Sequence, residues 1–556
     1  MPARVLHWFR TDLRLHDAPA LLKGLELKPE VFFPVWTWDP YFNFECPVGP
    51  NRYKFLTESM KEIDKKLSKM GNKLHVFRAA PADLFPVLFK QWNITHLVYE
   101  KLQDPAPYAI ERDESIKKLA KDANVEVLDI TGHTLYDIDA IVEKQKGKTI
   151  TSATAFKAAA KDMKIERPLQ APKDVPKADD LKLDAIKKEV KKVKSDHDVN
   201  EEHRKGKMTA YDSVTGPKDS LEPPSLEELG LDSEDATTQI PGGEDEALRR
   251  LDKWIKDKDA TATFRKPQTS PSEYDPPATT QLSPYIKFGT LGVREFYWRV
   301  VDLMENYDGE TSSEPENLPG QLIFREMYFA AQLGIGKPFG QIRGNKICRV
   351  IDWKLCNAYD EDGEKIFPRP KGSKEDEEAL EKWKHGNTGF PWVDAAMRQL
   401  KQEGWMHHLA RHCVAGFLTR GQLYISWERG AEVFDRYLVD QDPASNAGNW
   451  MWLSCSAFFH QYYRNYGMTT FPSKYDKTGK LVRKYVPELK EYPDKYIYKP
   501  WEAPEDVQKK AGCKIGKDYP EPMIDEKEAN KECMARMKEQ YAKKLYGDSL
   551  LKRKAK

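Results

Sequence analysis

An N-terminal doubly wound, parallel α/β sheet domain followed by a larger all-α domain is the fold class this sequence predicts. Two observations carry the prediction. Five short apolar runs, Val5–Phe9, Val31–Trp36, Lys73–Phe77, His96–Tyr99 and Glu126–Ile130, are separated by helical patterns. Strands that alternate with helices build a parallel sheet. From Gly242 to about Tyr498 the apolar spacing turns mostly helical. The expected division is an α/β domain over 1–140, a connector over 141–239, a helical domain over 240–500 and a tail over 501–556.

The elements follow in order. Arg52–Met70 sets Leu56, Met60, Ile63 and Leu67 on one stripe, with Gly71 placed to end the helix. Ile110–Ala120 repeats that logic. No GxGxxG follows the first strand, so a standard dinucleotide site is not expected there. In the connector, Lys173–Lys207 is dominated by Lys, Asp and Glu; it reads as a solvated surface segment, with a binding arm as the alternative. The run Thr279, Thr280, Gln281, Leu282 and Ser283 precedes a helix. Its hydroxyls and the helix N-terminus could hold a pyrophosphate, or they are an ordinary N-cap. The stretch 359–378, rich in Asp, Glu, Lys and Pro, reads as a surface loop. Lys552, Arg553, Lys554 and Lys556 read equally as a nuclear signal, a phosphate contact or a frayed basic end.

Composition narrows the classes. The 556 residues carry a net charge of +1, and 32% of them are charged. No apolar run reaches the roughly 18 residues a membrane helix needs. The start, MPARVLHWF, lacks a signal-peptide pattern. Seven cysteines without CxxC spacing point to a reducing compartment, with neither a disulfide framework nor a zinc ribbon. Near-neutral charge argues against a nonspecific polycation but leaves room for one basic face that binds DNA.

Chemistry concentrates between Glu403 and Tyr466. His408–Thr419 reads as a buried helix on which His408 and His412, four residues apart, share a face beside Arg411. Ile425–Leu438 reads as a second helix. Asp440 and Asp442 follow in a loop with Pro443 and Asn446, and Trp450 and Trp452 open a third helix. Two histidines near carboxylates can exchange protons near neutral pH, one charged while the other stays neutral. Arg411 and Asp440 could form a buried pair, which survives only when fully hydrogen-bonded. Two plainer readings compete. An HxxxH pair can bind zinc, although HEXXH needs a Glu where Leu409 stands; the helix could also be core with two satisfied histidines.

Motifs along the chain resemble the cryptochrome/photolyase family, in its (6-4) photolyase and animal-type cryptochrome branch. They are HWFRTDLRLHD (His7–Asp17), HTLYD (His133–Asp137), PSLEELG (Pro224–Gly230), TTQLSPYIKFG (Thr279–Gly289), GQLIFRE (Gly320–Glu326), GNKIC (Gly344–Cys348), WKHGNTGFPWVDAAMRQL (Trp383–Leu400), HHLARH, DQDPASNAGNWMWLS, FFHQYYRNY and KYVPELKEYP (Lys484–Pro493). The resemblance implies FAD bound by Thr279, Thr280, Gln281, Leu282, Ser283, Gln321, Arg325, Arg411, Asp440, Asp442 and Asn446, with Asn446 at the position that faces the flavin N5. It implies a proton donor at His408 tuned by His412, and an electron chain through Trp450, Trp427 and Trp353. Tyr424, three residues before Trp427 and read as outward-facing, is a candidate fourth donor. Lesion-pocket positions fall on Lys266, Gln321, Phe324, Leu409, Trp452, Arg464 and Tyr466. Phe324 replaces a usual Trp.

The implied activity is light-driven repair of (6-4) photoproducts in UV-damaged double-stranded DNA. The alternative is a cryptochrome photoreceptor acting on transcription or clock proteins, or both functions in one chain. No long signalling extension follows the helical region, which leans towards repair. A monomer in the nucleus, and also the cytoplasm or an organelle, is expected, with no metal. Arg10 and Asp12 match antenna-domain positions, where some relatives hold a folate or deazaflavin.

Overall fold

The computed structural model describes residues 2–44, 48–102, 107–190, 208–360, 363, 365–366 and 368–551. The chain forms two compact units. The first comprises Met1–Lys148, Ala153–Phe264 and Thr280–Leu333; the second comprises Thr149–Ser152, Arg265–Thr279 and Gly334–Lys556. These units do not follow breaks at 140, 239 and 500.

The first unit is built on five parallel strands: β1 (Arg4–Trp8), β2 (Val31–Thr37), β3 (His75–Phe77), β4 (His96–Glu100) and β5 (Glu126–Ile130). Their order is β3-β2-β1-β4-β5. All five expected strands are present. Between them run α1 (Pro19–Glu26), α2 (Pro50–Lys69), α3 (Pro81–Gln91) and α4 (Pro107–Asp122). The period-2 alternation of β1 sends Leu6 and Trp8 into one hydrophobic cluster and Val5 and, just past the strand, Phe9 into another. The stripe on α2 buries Met60, Ile63 and Leu67 in the second cluster, and Gly71 follows the helix at φ +81°.

The connector is not merely solvated. Val175, Ile186, Val190, Val214 and Leu221 are buried against the sheet clusters. Even a Lys-rich segment stays ordered where a few apolar side chains find a core. Residues 191–207 of the charged run lie outside the described residues, as do the basic residues from Lys552 onward. The first unit continues with α5 (Glu244–Lys256), α6 (Val293–Glu305) and α7 (Leu318–Ile335). Glu326 of α7 accepts the backbone N–H groups of Leu135 at 3.0 Å and Tyr136 at 3.3 Å, fixing the HTLYD turn.

The second unit is helical: α8 (Lys374–His385), α9 (Pro391–Glu403), α10 (His408–Gly416), α11 (Trp427–Tyr437), α12 (Pro443–Leu453) and α13 (Glu526–Lys543) are its longer helices. Three expectations are corrected here. The helix read over His408–Thr419 stops at Gly416 and passes into a π-helical turn, Phe417–Gly421, where Thr419 leaves helical geometry (φ −99°, ψ −113°). Asn446 lies in a helix rather than a loop, and Trp450 and Trp452 close that helix rather than open it. The reason is Asp442, whose carboxylate accepts the Ser445 N–H at 2.6 Å, so that α12 starts at Pro443. The insertion is no free surface loop: Lys365 and Arg369 both reach Glu432 of α11, at 3.1 and 2.7 Å. Of its residues, 361, 362, 364 and 367 lie outside the described residues.

Candidate functional site

The site in the second unit begins at the N-terminus of α10. His407 is its N-cap, accepting the Leu409 N–H on Nδ1 at 3.1 Å. The ring proton is thereby left on Nε2, which donates to Thr269 Oγ1 at 2.9 Å. His408 opens the helix. Its ring lies 4.4 Å from that of His407 and 5.9 Å from that of His412, so the expected pair does share one face. His412 Nδ1 meets the Tyr466 hydroxyl at 3.3 Å. His408 Nε2 is buried with no hydrogen-bond partner among the described residues.

The electrostatics correct the expectation of one charged histidine. Burial, then the nearby Lys266, pushes His412 and His407 down to about 3 and His408 well below its ordinary value. Arg411 adds to all three, and Arg420 to His412. Lys266 is itself pushed down to about 8 by burial and then by Arg411. Both members of the pair are neutral near pH 7, and a charged His408 requires an anion beside it.

Arg411 and Asp440 form the expected pair at 2.7 Å, with Arg411 Nε also donating to Met406 O at 2.8 Å. Asn446 is oriented without ambiguity: its Nδ2 donates to Ala431 O at 3.0 Å and Asp435 Oδ1 at 2.7 Å. Both amide hydrogens are taken by α11, so only the acceptor Oδ1 remains for a further partner. In the first unit, Leu282 N donates to Thr280 Oγ1 at 3.3 Å, Gln281 takes φ +51°, and Ser283 begins a helical turn. Arg325 donates to His133 O at 3.0 Å.

The aromatic series lies within the second unit. Trp450 packs against Trp383 (6.2 Å between centroids), Phe434 (5.0 Å) and the bare Cα of Gly430, where a Cβ would come within 2.2 Å of its six-membered ring. Trp427 lies one helical turn before Gly430. Trp353 is joined to the entry of α11 by a parallel bridge: Lys354 N donates to Tyr424 O, and Ser426 N to Lys354 O, both at 2.9 Å. Trp353 and Tyr424 are 4.8 Å apart. The Nε1 atoms of Trp353, Trp427 and Trp450 are all buried without a hydrogen-bond partner among the described residues. The Cys348 thiol near Trp427 is a weak acceptor.

Tyr424 does not face outward. It is 2% exposed. Ser426 caps α11, so Tyr424 precedes the helix, with φ +57°, instead of riding one turn back on it. Its hydroxyl donates to Asp352, a residue the sequence reading missed although it directly precedes Trp353. His407 was missed too, and only its place before an apolar-periodic run signals the N-cap.

The lesion-pocket positions fall in both units. Gln321 folds back on the carbonyls that open α7, 3.2–3.4 Å away, and Phe324 is half-buried on the same helix. In the second unit Leu409 is buried, and Tyr466 packs edge-on to Phe471 at 4.6 Å. Trp452 stacks on Phe459 at 5.5 Å, and Arg464 is exposed.

Comparison with known proteins decides the family. Residues 5–176 match a family profile described as DNA photolyase, and residues 318–539 one described as the FAD binding domain of DNA photolyase. Cryptochrome-1 of Rattus norvegicus is 41% identical over 97% of this chain and 83% of its own length. The chain belongs to the cryptochrome/photolyase family. Cryptochrome-2 of Gallus gallus is likewise 41% identical, over 97% of this chain and 83% of its own. The crystal structure of a class III photolyase from Agrobacterium tumefaciens aligns with a TM-score of 0.69 at 25% identity, covering 98% of both chains. A cryptochrome structure from Synechocystis aligns at 0.72 and 23% identity, covering 96% of this chain and 99% of that one, which supports the fold.

As a member of this family the chain binds FAD, and its residues fit the group. Thr279 Oγ1 and Arg325 Nη2 are buried with no partner among the described residues, as polar contacts of a phosphate or a flavin edge would be. A family antenna fits the α/β sheet less well. At the switch point between β1 and β4, Arg10 lies over Trp8 at 4.6 Å and Tyr99 at 4.5 Å, and is held by Asp113 at 2.6 Å. A planar chromophore stacking there would have to displace it. Among the described residues, no group of three or more His, Cys, Asp or Glu side chains gathers as metal ligands, and no helix is long and apolar enough to cross a membrane.

Proposed function

We propose that this chain is a light-driven flavoprotein of the animal-cryptochrome kind, in which oxidising equivalents leave the flavin site along Trp450, Trp427, Trp353 and Tyr424. The observation that carries the reading is the end of that series. Among the described residues the three indoles have no hydrogen-bonded base, whereas Tyr424, packed at a tilt on the last of them, has a carboxylate on its hydroxyl. A phenol loses its proton on oxidation, so charge separated along the series is trapped where a base waits. When bound, FAD supplies the light absorption and the one-electron chemistry. Thr279, Thr280, Gln281, Leu282, Ser283, Gln321, Arg325, Arg411, Asp440 and Asp442 would bind and orient it, and Asn446 would offer only an acceptor. High identity to animal cryptochromes supports this reading. It is tested by flash photolysis of the purified, FAD-loaded protein: a neutral tyrosyl radical whose yield falls in Tyr424→Phe is expected, and its absence from the unsubstituted protein overturns the reading.

A second activity, repair of (6-4) photoproducts in UV-damaged duplex DNA, is favoured by the histidine cluster. His408 presents an Nε2 with no partner among the described residues, with His412 and Lys266 near it and Tyr466 on His412. Repair needs a proton delivered while the electron is away, and His408 stands where one could be held at Nε2. Arg464 and the aromatics Trp452 and Tyr466 suit an extruded, damaged base and its phosphates. The assay is blue-light repair of (6-4) and cyclobutane lesions by the reduced protein. Repair of the first alone supports this reading; repair of neither leaves the photoreceptor alone. Nuclear location, expected from the basic C-terminus, belongs to the same proposal and is read from a fluorescent fusion with and without the residues from Lys552 onward.

A further inference from the structure

The insertion brings a second tyrosine to a carboxylate beside the tryptophan series. Tyr359 reaches across to Glu428, the residue immediately after Trp427, and its hydroxyl donates to Oε1. Glu428 is 2% exposed and also accepts the Ile342 N–H at 3.0 Å on that same oxygen. Burial holds the Glu428 carboxyl above its ordinary value, and the two donors on its oxygen oppose that rise. Tyr359 is held from behind as well: Arg343 donates to its carbonyl at 3.0 Å, and Lys365 and Arg369 grip Glu432, one turn along α11. Five residues of chain lie between it and Trp353. Asp352 and Glu428, the chain neighbours of Trp353 and Trp427, thus each hold a tyrosine hydroxyl: Tyr424 on Asp352 and Tyr359 on Glu428.

We propose that Tyr359 is a second terminal electron donor, oxidised by the hole on Trp427 with its phenolic proton passing to Glu428. The proposal rests on the photoreceptor reading. One electron leaves Tyr359 for the oxidised indole, the phenolic O–H bond breaks, and the proton goes to Glu428 Oε1. The products are a neutral tyrosyl radical, a protonated Glu428 and a restored Trp427. Bound FAD, when oxidised and illuminated, would supply the oxidant that first draws an electron from the series. Two requirements of proton-coupled oxidation are present together: a hole carrier one residue from the base, and a base already hydrogen-bonded to the phenol. The insertion thus gives the series a branch in addition to packing over α11.

The test uses the full-length, FAD-loaded protein illuminated without added reductant and read by electron paramagnetic resonance and transient absorption. Tyr424→Phe keeps a neutral tyrosyl signal; adding Tyr359→Phe removes it while a tryptophan radical still forms. Glu428→Gln in the Tyr424→Phe background also removes it. A double-mutant cycle of thermal melts with Tyr359→Phe and Glu428→Gln reads the pair without photochemistry, and non-additive shifts are expected. The proposal is overturned if Tyr424→Phe alone abolishes the tyrosyl signal while tryptophan is still oxidised, if the signal survives in the double phenylalanine variant, or if the melt cycle is additive. Failure of the parent reading shows separately, as the absence of any tyrosyl radical from the unsubstituted protein, and overturns both.

Discussion

The Tyr424 hydroxyl donates to Asp352 Oδ1 at 2.9 Å, across 72 residues of sequence, while the Arg536 guanidinium lies 3.9 Å over the Tyr424 ring and 3.1 Å from the other oxygen of Asp352. A cation over the ring disfavours a positive charge on it. Oxidation of Tyr424 must therefore go with loss of its proton to Asp352. Asp352→Asn keeps the shape and removes the base. Its expected outcome is a marked drop in tyrosyl yield with unchanged formation of the tryptophan radical, measured by transient absorption. An unchanged tyrosyl yield would place the base elsewhere.

His408→Ala is expected to abolish (6-4) repair and leave FAD content and photoreduction nearly intact. Because burial and Lys266 keep His408 neutral near pH 7, repair that depends on its cation should slow as pH rises. A parental repair rate in His408→Ala removes it as the donor.

Lys266→Met removes a positive charge facing all three histidines. The His412 pKa should rise from about 3, yet stay below its ordinary 6.5 because burial is the larger cause. Nuclear magnetic resonance titration of the imidazole carbons reads the shift. No upward movement would mean Lys266 does not act on His412.

The same histidines make the fold acid-sensitive. In the unfolded chain His407 and His412 take up protons as pH falls below 6.5; in the folded chain they resist until about 3. The unfolded state binds more protons across that window, so stability falls as pH drops through it. The melting temperature should decline from about pH 6 towards about pH 4, and less steeply in His412→Asn. An identical slope in the variant would refute the assignment.

Gly430→Ala tests the packing of Trp450. The added methyl enters the space of the indole ring, and overpacking of this kind costs about 1–3 kcal/mol. Denaturant unfolding should show that loss, together with slower photoreduction. A neutral substitution would mean that α11 and α12 have room to part.

Much of this was legible locally. The strands of the sheet are apolar runs with clear boundaries, and the spacing of His408 and His412 put them on one face before any coordinates. What failed were judgements about where helices begin. Asp442 and Ser426 are N-caps written plainly in the sequence; reading them as such would have placed Asn446 and Trp450 inside α12 and Tyr424 outside α11. What no local pattern could supply were partners distant in the chain. Asp352 and Tyr424, or Tyr359 and Glu428, meet through the fold alone. The neutral histidines were equally hidden, since their charge depends on Lys266, over 130 residues away.

The three buried indole N–H groups, which have no oxygen or nitrogen acceptor among the described residues, also set a timescale. A proton with no base beside it and no path to water exchanges with solvent only when the surrounding structure opens. In heavy water, hole migration between Trp450, Trp427 and Trp353 should run at its ordinary speed, since no N–H bond breaks, while arrival at a tyrosine slows with the mass of the phenolic hydrogen. Changing the solvent isotope would thus separate the carriers from the traps, without altering a single residue.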